Sequence, residues 1–291
     1  MLAYQQTPEQ EIRTTLLHEA RVRLFIKRED MNHPNISGNK WWKLKYNLRE
    51  ATRLKKDTIL TFGGAYSNHI YATAAAAHEV GLESIGIIRG DEVLPLNETL
   101  QFAKSCGMQL RYVSREKYRE KNESYFIETL RGQFGDFYLL PEGGSNELAV
   151  QGVAEFTETF KTPYDYLCCS VGTGGTMAGL VRGLSGSKKI IGFSAIRGSE
   201  YLYDEVRKLE GRYANWEING EYHYGGYAKA TPDLLHFMEE FERVTGIPLD
   251  RIYTGKMMAG IFDLVRRNAF PAGATILAIH TGGLRNPPVN V

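Results

Sequence analysis

Short apolar segments alternate along the chain with longer segments in which apolar residues recur every three or four positions. Several short segments are apolar throughout, which is typical of parallel strands buried on both faces, and the longer segments have helical spacing. The predicted strands lie at 22–27, 58–62, 84–89, 109–113, 137–141, 165–171, 189–195 and 274–280. The clearest predicted helices lie at 41–56, 67–81, 146–160, 176–184 and 232–246.

This alternation of strands and helices predicts an α/β fold in which parallel sheets are flanked by helices. A chain of 291 residues is long enough for two domains that share one interface. The sequence has no linker rich in Pro, Gly or Ser that would mark a boundary. We therefore expect the chain to cross between the two domains more than once.

The charge balance argues against a polyanionic partner. The chain has 35 Lys and Arg residues and 34 Asp and Glu residues, so we expect neither nucleic acid nor a membrane surface to bind it. Cys106, Cys168 and Cys169 lack metal-ligand spacing with a histidine, which predicts reduced core cysteines and no metal site. The sequence also lacks a signal-peptide pattern and long apolar runs, so we expect a soluble, cytoplasmic protein with a small zwitterionic ligand.

Three glycine-containing turns follow predicted strands and precede predicted helices, at 63–69, 142–147 and 171–180. The third turn combines glycines with hydroxyls at a helix start, where free backbone N–H groups attract anions. It predicts a phosphate site, and a tight turn that binds nothing is the alternative. Without a P-loop lysine or a dinucleotide fingerprint, ATP and NAD are disfavoured. The candidate phosphate ligands are Gly172, Thr173, Gly174, Gly175 and Thr176.

Further polar residues lie where other predicted strands end. Ser67 occupies an N-cap position, and Asn68 and His69 lie in the first helical turn, so this turn could hold a carboxylate. The alternative is a plain serine cap, with His69 as a solvated or hydrogen-bonded side chain. Thr281 follows the last predicted strand, at the sheet edge where α/β proteins bind ligands.

Lys40 lies at the start of a predicted helix, where a cation is poorly matched to the helix dipole. A solvated lysine is the ordinary interpretation of such a residue. A lysine near a phosphate site, however, fits a cofactor that brings both a phosphate and an aldehyde. We therefore predict pyridoxal 5'-phosphate as the cofactor, with Lys40 as its Schiff-base partner.

Six segments together resemble the aminocyclopropane-carboxylate deaminase and D-cysteine desulfhydrase family of tryptophan-synthase-like pyridoxal-phosphate enzymes. Their order and spacing are kept along nearly the whole chain. The resemblance implies a two-domain fold and a homodimer, with 1–43 and 145–291 in a large cofactor-binding domain and 44–144 in a small domain. The similar segments are IKREDMNHPNISGNKWWKLKYNL (26–48), GGAYSNHIYATAAAAHEVGL (63–82), EGGSNELAVQG (142–152), VGTGGTMAGL (171–180), YTGKMMAGIFDLV (253–265) and IHTGG (279–283).

The same resemblance implies roles for individual residues. Lys40 would carry the cofactor, Asn68 would bind the pyridine 3-hydroxyl, and the loop Gly172–Thr176 would bind the phosphate. Ser67 would hold the substrate carboxylate or move a proton. The implied substrate contacts are Ser67, Asn68, His69, Tyr227 and Tyr253.

Two tyrosines and two threonines complete the predicted site. Tyr227 and Tyr253 would orient the substrate or act as acid–base groups, while core packing is the ordinary interpretation of a tyrosine. Either Thr254 or Thr281 could lie nearest the pyridine nitrogen. Thr254 and His69 both resemble the desulfhydrases rather than the deaminases. A hydroxyl at the nitrogen makes the ring a weaker electron sink, which suffices for the β-elimination of a good leaving group.

We therefore expect a lyase that acts on a small amino acid by β-elimination, as D-cysteine desulfhydrase does, and that releases pyruvate and ammonia. One alternative is a 1-aminocyclopropane-1-carboxylate deaminase. Another is a pyridoxal-phosphate-binding protein without efficient turnover. The segment 222–233, which contains Tyr227, departs from the P-x-Y-G-x-P pattern of the family and keeps the last alternative open.

Overall fold

The computed structural model describes residues 2–284, which form two sheets flanked by helices. The predicted α/β fold with parallel sheets is confirmed. The strands are β1 (Glu9–Ile12), β2 (Arg23–Lys27), β3 (Thr58–Gly64), β4 (Glu83–Arg89), β5 (Gln109–Val113), β6 (Tyr138–Leu140), β7 (Tyr166–Val171), β8 (Lys189–Ser194), β9 (Trp216–Asn219) and β10 (Thr275–Ile279). The helices are α1 (Thr15–Glu19), α2 (Asn39–Arg53), α3 (Asn68–Val80), α4 (Glu98–Ser105), α5 (Arg115–Tyr118), α6 (Ser124–Phe134), α7 (Glu147–Phe156), α8 (Gly175–Leu184), α9 (Tyr201–Leu209), α10 (Pro232–Thr245) and α11 (Thr254–Arg266).

The two sheets differ in size and in their place along the sequence. The six-stranded sheet has the order β1-β2-β10-β7-β8-β9, and β1 pairs antiparallel with β2 at its edge. The four-stranded sheet has the order β5-β4-β3-β6 and is parallel. All eight predicted strands are present, and the short strands β1 and β9 were not predicted.

The four-stranded sheet lies within residues 58–140, inside the range predicted for the small domain. The predicted boundary between residues 43 and 44 falls inside α2, which is one continuous helix. Of the range assigned to the large domain, residues 1 and 285–291 lie outside the described part. The division into two domains stays a prediction.

Alternating side chains of the central strands build the core on both faces of the larger sheet. Cys169 of β7 packs into one apolar cluster and its neighbour Cys168 into another. Both are buried free cysteines, as predicted, whereas Cys106 is partly exposed at the end of α4. Burial raises the pKa of Cys168 well above its usual value, so this thiol stays protonated.

The glycine before α2 fixes where that helix begins. Gly38 has φ +72°, and its N–H donates to the backbone oxygen of Glu29 and to Oδ1 of Asn32. A Cβ built on Gly38 would lie 1.9 Å from the backbone oxygen of Thr281. Only glycine therefore allows the turn before α2 to pack against the turn after β10. This contact brings Lys40 to the carboxyl edge of the larger sheet.

We predict that Gly38→Ala lowers the free energy of unfolding by about 3 kcal/mol, because strain and overpacking act together. Gly81→Ala is the matched control, since Gly81 has φ +75° and no heavy atom lies within 4 Å of the position that its Cβ would take. The control should cost only about 1 kcal/mol. Urea unfolding followed by circular dichroism measures both values. Equal losses in the two variants would show that the contact with Thr281 contributes nothing.

Candidate functional site

A cavity of about 260 Å³ lies between the two sheets, at the carboxyl ends of their parallel strands. The first turns of α2, α3 and α8 face it, together with the ends of β4, β7 and β10. Ligands of α/β proteins bind at such an edge, because the loops there connect neighbouring strands to helices. Among the described residues, no group of three or more His, Cys, Asp or Glu side chains could hold a metal ion.

Lys40 reaches the cavity from the first turn of α2. Its Nζ donates to Oδ1 of Asn39 over 3.0 Å, and Asn39 Nδ2 donates to Oγ1 of Thr176 over 2.8 Å. Asn39 therefore links the candidate catalytic lysine to the glycine-rich loop before α8. Sequence reasoning did not single out Asn39, although it precedes Lys40 in the quoted motif.

A second lysine lies one turn further along α2. Lys43 is only 2% exposed, and its Nζ donates to the backbone oxygen of Gly143 over 2.9 Å and to Ser145 Oγ over 3.1 Å. No carboxylate within residues 2–284 lies within ion-pair distance of it. Burial, and secondarily the charge of Lys40, hold the pKa of Lys43 well below its usual value. A bound anion would stabilise this ammonium group.

The loop between β7 and α8 presents backbone and hydroxyl groups to the same region. Gly174 has φ +79°, and a Cβ on Gly175 would lie 2.5 Å from Ser145 Oγ. Ser145 Oγ in turn lies 2.6 Å from Thr173 Oγ1. Glycines, hydroxyls, a helix N-terminus and the Lys43 ammonium group thus converge, and this donor set fits a phosphate monoester. Of the five predicted phosphate ligands, four line the cavity and Gly175 lies behind its wall.

The opposite wall is formed by the turn between β3 and α3. Ser67 Oγ accepts the backbone N–H groups of His69 and Ile70 at 3.2 and 3.3 Å, so Ser67 is the N-cap of α3. The hydroxyl also lines the cavity, and accepting these bonds leaves its proton available for donation. Asn68 lines the cavity beside it and approaches Gly283, where a Cβ would lie 2.4 Å from Asn68 Nδ2.

His69 is buried between the β3 strand and the cavity. Its Nε2 lies 2.7 Å from Thr61 Oγ1, whose own proton goes to the backbone oxygen of Leu140 at 2.9 Å. Thr61 must then accept, so His69 carries its proton on Nε2. Burial first, and then the charges of Lys40 and Lys43, hold the pKa of His69 well below its usual value. The imidazole is therefore neutral near pH 7, and His69 is a buried, hydrogen-bonded side chain, which is one of the two ordinary interpretations that the sequence offered.

Tyr227 and Tyr253 meet in the cavity wall with ring centroids 6.3 Å apart. Burial, above all other causes, raises the pKa of both hydroxyls, and that of Tyr253 rises well above its usual value. At neutral pH both groups are protonated, so they can donate protons but cannot act as bases. Lys256 Nζ donates to the backbone oxygen of Gly226 over 2.8 Å and thereby anchors the segment that carries Tyr227.

The two threonines left open by the sequence have different surroundings. Thr281 lines the cavity, whereas Thr254 is fully buried at the start of α11 and does not line it. Thr254 Oγ1 accepts the backbone N–H of Asp250 over 2.8 Å. The Asp250 carboxylate accepts the N–H groups of Tyr253 and Thr254 at 2.8 and 2.9 Å. These reciprocal caps hold Thr254 inside the turn, away from the cavity that Thr281 lines.

Sequence reasoning also missed two charged residues of the wall. Lys43 could have been found from its i, i+3 spacing to Lys40, which puts both on one helix face. Arg89, at the end of β4, also lines the cavity, and no motif identified it.

None of the helices in the described part of the chain is long and apolar enough to cross a membrane.

Comparisons with known proteins agree with this geometry. A family model described as "Pyridoxal-phosphate dependent enzyme" matches residues 1–282. The chain is 32% identical, over 90% of its length and 72% of the relative's, to the mitochondrial bifunctional D-cysteine desulfhydrase/1-aminocyclopropane-1-carboxylate deaminase of Arabidopsis thaliana. It is 26% identical, over 97% of its length and 93% of the relative's, to the 1-aminocyclopropane-1-carboxylate deaminase of Methylobacterium nodulans. The solved structure of an ACC deaminase homologue superposes with a TM-score of 0.83 at 28% identity, covering 98% of this chain and 91% of that one.

We predict that Thr254→Glu lowers the free energy of unfolding by about 3 kcal/mol, because it buries a second carboxylate beside Asp250. Thr254→Ser keeps the capping hydroxyl and should lose about 1 kcal/mol at most. Thermal and urea unfolding measure both variants. Wild-type stability of Thr254→Glu would mean that position 254 opens toward the cavity or solvent.

Proposed function

The chain belongs to the pyridoxal-phosphate dependent enzymes, and we propose that it is a lyase that removes the β-substituent and the amino group of a small amino acid, as D-cysteine desulfhydrase does. The products would be pyruvate, ammonia and the released substituent. The observation that carries this proposal is the convergence of Lys40, Lys43 and the loop Gly172–Thr176 on one cavity, opposite the Ser67–Asn68 turn.

Each functional group of the cofactor has matching side chains or backbone groups in the cavity. When bound, pyridoxal phosphate supplies an aldehyde that a lysine amine can take up and a ring that withdraws electrons from the substrate's α-carbon. Lys43 and the loop Gly172–Thr176 would hold the phosphate, and Asn68 the 3-hydroxyl. Thr281 would face the ring nitrogen, because it lines the cavity and Thr254 does not. A hydroxyl at that position supports elimination rather than a reaction that needs a stronger electron sink.

Proton transfer would be divided between a lysine and tyrosines. Lys40 Nζ, held at Asn39 Oδ1, would take the proton from the substrate's α-carbon, and Ser67 Oγ could relay it. Tyr227 and Tyr253 are protonated at neutral pH, so one of them would donate to the departing β-substituent. The turn capped by Ser67 would hold the α-carboxylate at free backbone N–H groups.

Two other functions remain in competition. The names of the relatives favour 1-aminocyclopropane-1-carboxylate deaminase as the second candidate. A pyridoxal-phosphate-binding protein without efficient turnover is the third, because the 222–233 segment around Tyr227 departs from the family pattern. The binding protein predicts little pyruvate from β-substituted alanines, whereas the deaminase predicts 2-oxobutyrate from 1-aminocyclopropane-1-carboxylate.

We further propose a cytoplasmic homodimer. The resemblance to the family supports the dimer, and three free cysteines, two of them buried, suit a reducing compartment. Light scattering of the purified protein would give twice the chain mass of 32.8 kDa.

We predict that borohydride reduction attaches the cofactor to Lys40, and that Lys40→Ala abolishes the covalent link.

Lys43→Met should keep the link but weaken cofactor binding about 10- to 100-fold, since it removes the buried cation at the phosphate. Lys45→Met is the matched control on the same helix, because Lys45 pairs with Glu155 outside the cavity. Peptide mapping and equilibrium dialysis measure the two effects. Attachment to Lys43, Lys229 or Lys256 would contradict the assignment.

We predict that the wild-type protein releases pyruvate from at least one of D-cysteine, D-serine, β-chloro-D-alanine or their L forms. Lys40→Ala should reduce the rate about 10³-fold, because it removes the general base. A lactate dehydrogenase-coupled assay measures the pyruvate. Formation of 2-oxobutyrate from 1-aminocyclopropane-1-carboxylate, with no pyruvate from the panel, would favour the deaminase instead.

A further inference from the structure

Arg89 places a third cationic side chain in the cavity wall. It is the last residue of β4 and the direct register partner of Gly64 on β3. A Cβ on Gly64 would lie 3.5 Å from Nη2 of Arg89, so the guanidinium group lies close to the space that a side chain at Gly64 would enter. Gly64 leads into the turn of Ser67 and Asn68. The guanidinium group therefore borders the wall where the substrate is proposed to bind.

The tyrosines of the cavity mouth are consistent with this position of the charge. Tyr201 and Tyr227 line the cavity with Arg89. Burial raises the pKa of both hydroxyls, and Arg89 opposes that rise at each. The guanidinium carbon lies 5.6 Å from the ring centroid of Tyr118. An anion at Arg89 would thus have two tyrosine hydroxyls nearby as additional donors.

The acidic side chain that lines the cavity already has a hydrogen-bond donor and a cation as partners from the protein. Glu142 accepts the Tyr118 hydroxyl at 2.8 Å and pairs with Lys121 Nζ at 3.4 Å. Arg89, by contrast, has no carboxylate within 4 Å anywhere in the described chain. The arginine charge therefore has no partner carboxylate from the protein, although its exposed position lets solvent screen it.

The proposed reaction already gives a role to the other cationic side chains of the cavity and to the Ser67 turn. Lys40, Lys43 and the glycine-rich loop serve the cofactor, and the Ser67 turn serves the α-carboxylate. We propose that Arg89 binds a second anionic group at the far end of the amino acid, so that the preferred substrates carry an acidic β-substituent. A sulfonate, a sulfate, a phosphate or an acyloxy group that ends in a carboxylate would qualify, since the guanidinium fork binds such oxyanions with two parallel hydrogen bonds. This substrate class rests on the proposed elimination chemistry.

The same contact assists the departure of the substituent. In the elimination the Cα–H and Cβ–X bonds break, Lys40 takes the proton, and the electron pair of the Cβ–X bond leaves with X. An acidic substituent consequently gains one further negative charge as it departs. Arg89 would stabilise that charge, and a tyrosine of the wall would donate its own hydroxyl proton to X.

Binding of non-eliminating amino acids tests the proposal without relying on turnover. Aspartate and asparagine differ by one charge at nearly equal size, and each is titrated in D and L form against the holoenzyme by its effect on the cofactor absorption. The wild type should bind aspartate at least tenfold more tightly than asparagine for one enantiomer. Arg89→Met should abolish the preference and Arg89→Lys should restore part of it. Arg111→Met is the matched control, because Arg111 lies on the adjacent strand outside the cavity.

Turnover then identifies the kind of acidic group. The ratio of kcat/KM for O-phosphoserine, or for O-succinylserine, to that for β-chloroalanine should fall at least tenfold in Arg89→Met and stay unchanged in Arg111→Met. Equal losses for charged and neutral substrates would overturn the proposal and place Arg89 at the α-carboxylate. No aspartate preference in the wild type would overturn it as well. Failure of all substrates to release pyruvate, with the aspartate preference intact, would instead refute the proposed function.

Discussion

The structure of the site depends on a buried ammonium group that lacks a carboxylate partner. Lys43 is surrounded by protein and is held by a backbone oxygen and a hydroxyl rather than by an ion pair. Keeping a charge out of water is costly, so burial, and secondarily the charge of Lys40, lower the pKa of Lys43 well below its usual value. A phosphate group between Lys43 and the start of α8 offsets this cost. A bound phosphate would therefore favour the charged form of Lys43, which burial in the protein alone disfavours.

The two sheets contribute different groups to the reaction. The larger sheet supplies the glycine-rich loop and Thr281, while the smaller one supplies Ser67, Asn68 and Arg89. In the proposed function the larger sheet would hold the phosphate, while the smaller one would contact both the cofactor and the substrate. This arrangement lets the smaller sheet change its substrate contacts without altering the phosphate site, which agrees with the sharing of one fold by lyases of different specificity.

The tyrosines of the site owe their positions to buried polar groups that do not touch the substrate. The Asp250 carboxylate accepts the N–H of Tyr253, and Lys256 anchors the segment before Tyr227. Burial lowers the pKa of Lys256 to about 8, because the charged form of the amine loses its hydration. Such anchors restrict the tyrosine rings more tightly than loop backbone alone would. In the proposed reaction their role would be to orient the two tyrosine proton donors.

The sequence by itself determined the eight main strands, the order of the elements and the residues of the glycine turns, because periodicity and turn chemistry are local. It also identified Lys40 through its motif. Only the tertiary structure showed that Thr281 lines the cavity and that Thr254 does not, since the hydrogen bonds between Thr254 and Asp250 are set by the fold of the turn. It alone revealed Arg89, whose access to the cavity depends on its register with Gly64 of another strand. Contacts between segments that are far apart in the chain produce no periodic pattern in a single sequence. The access of these residues to the cavity could therefore be recognised only in the folded structure.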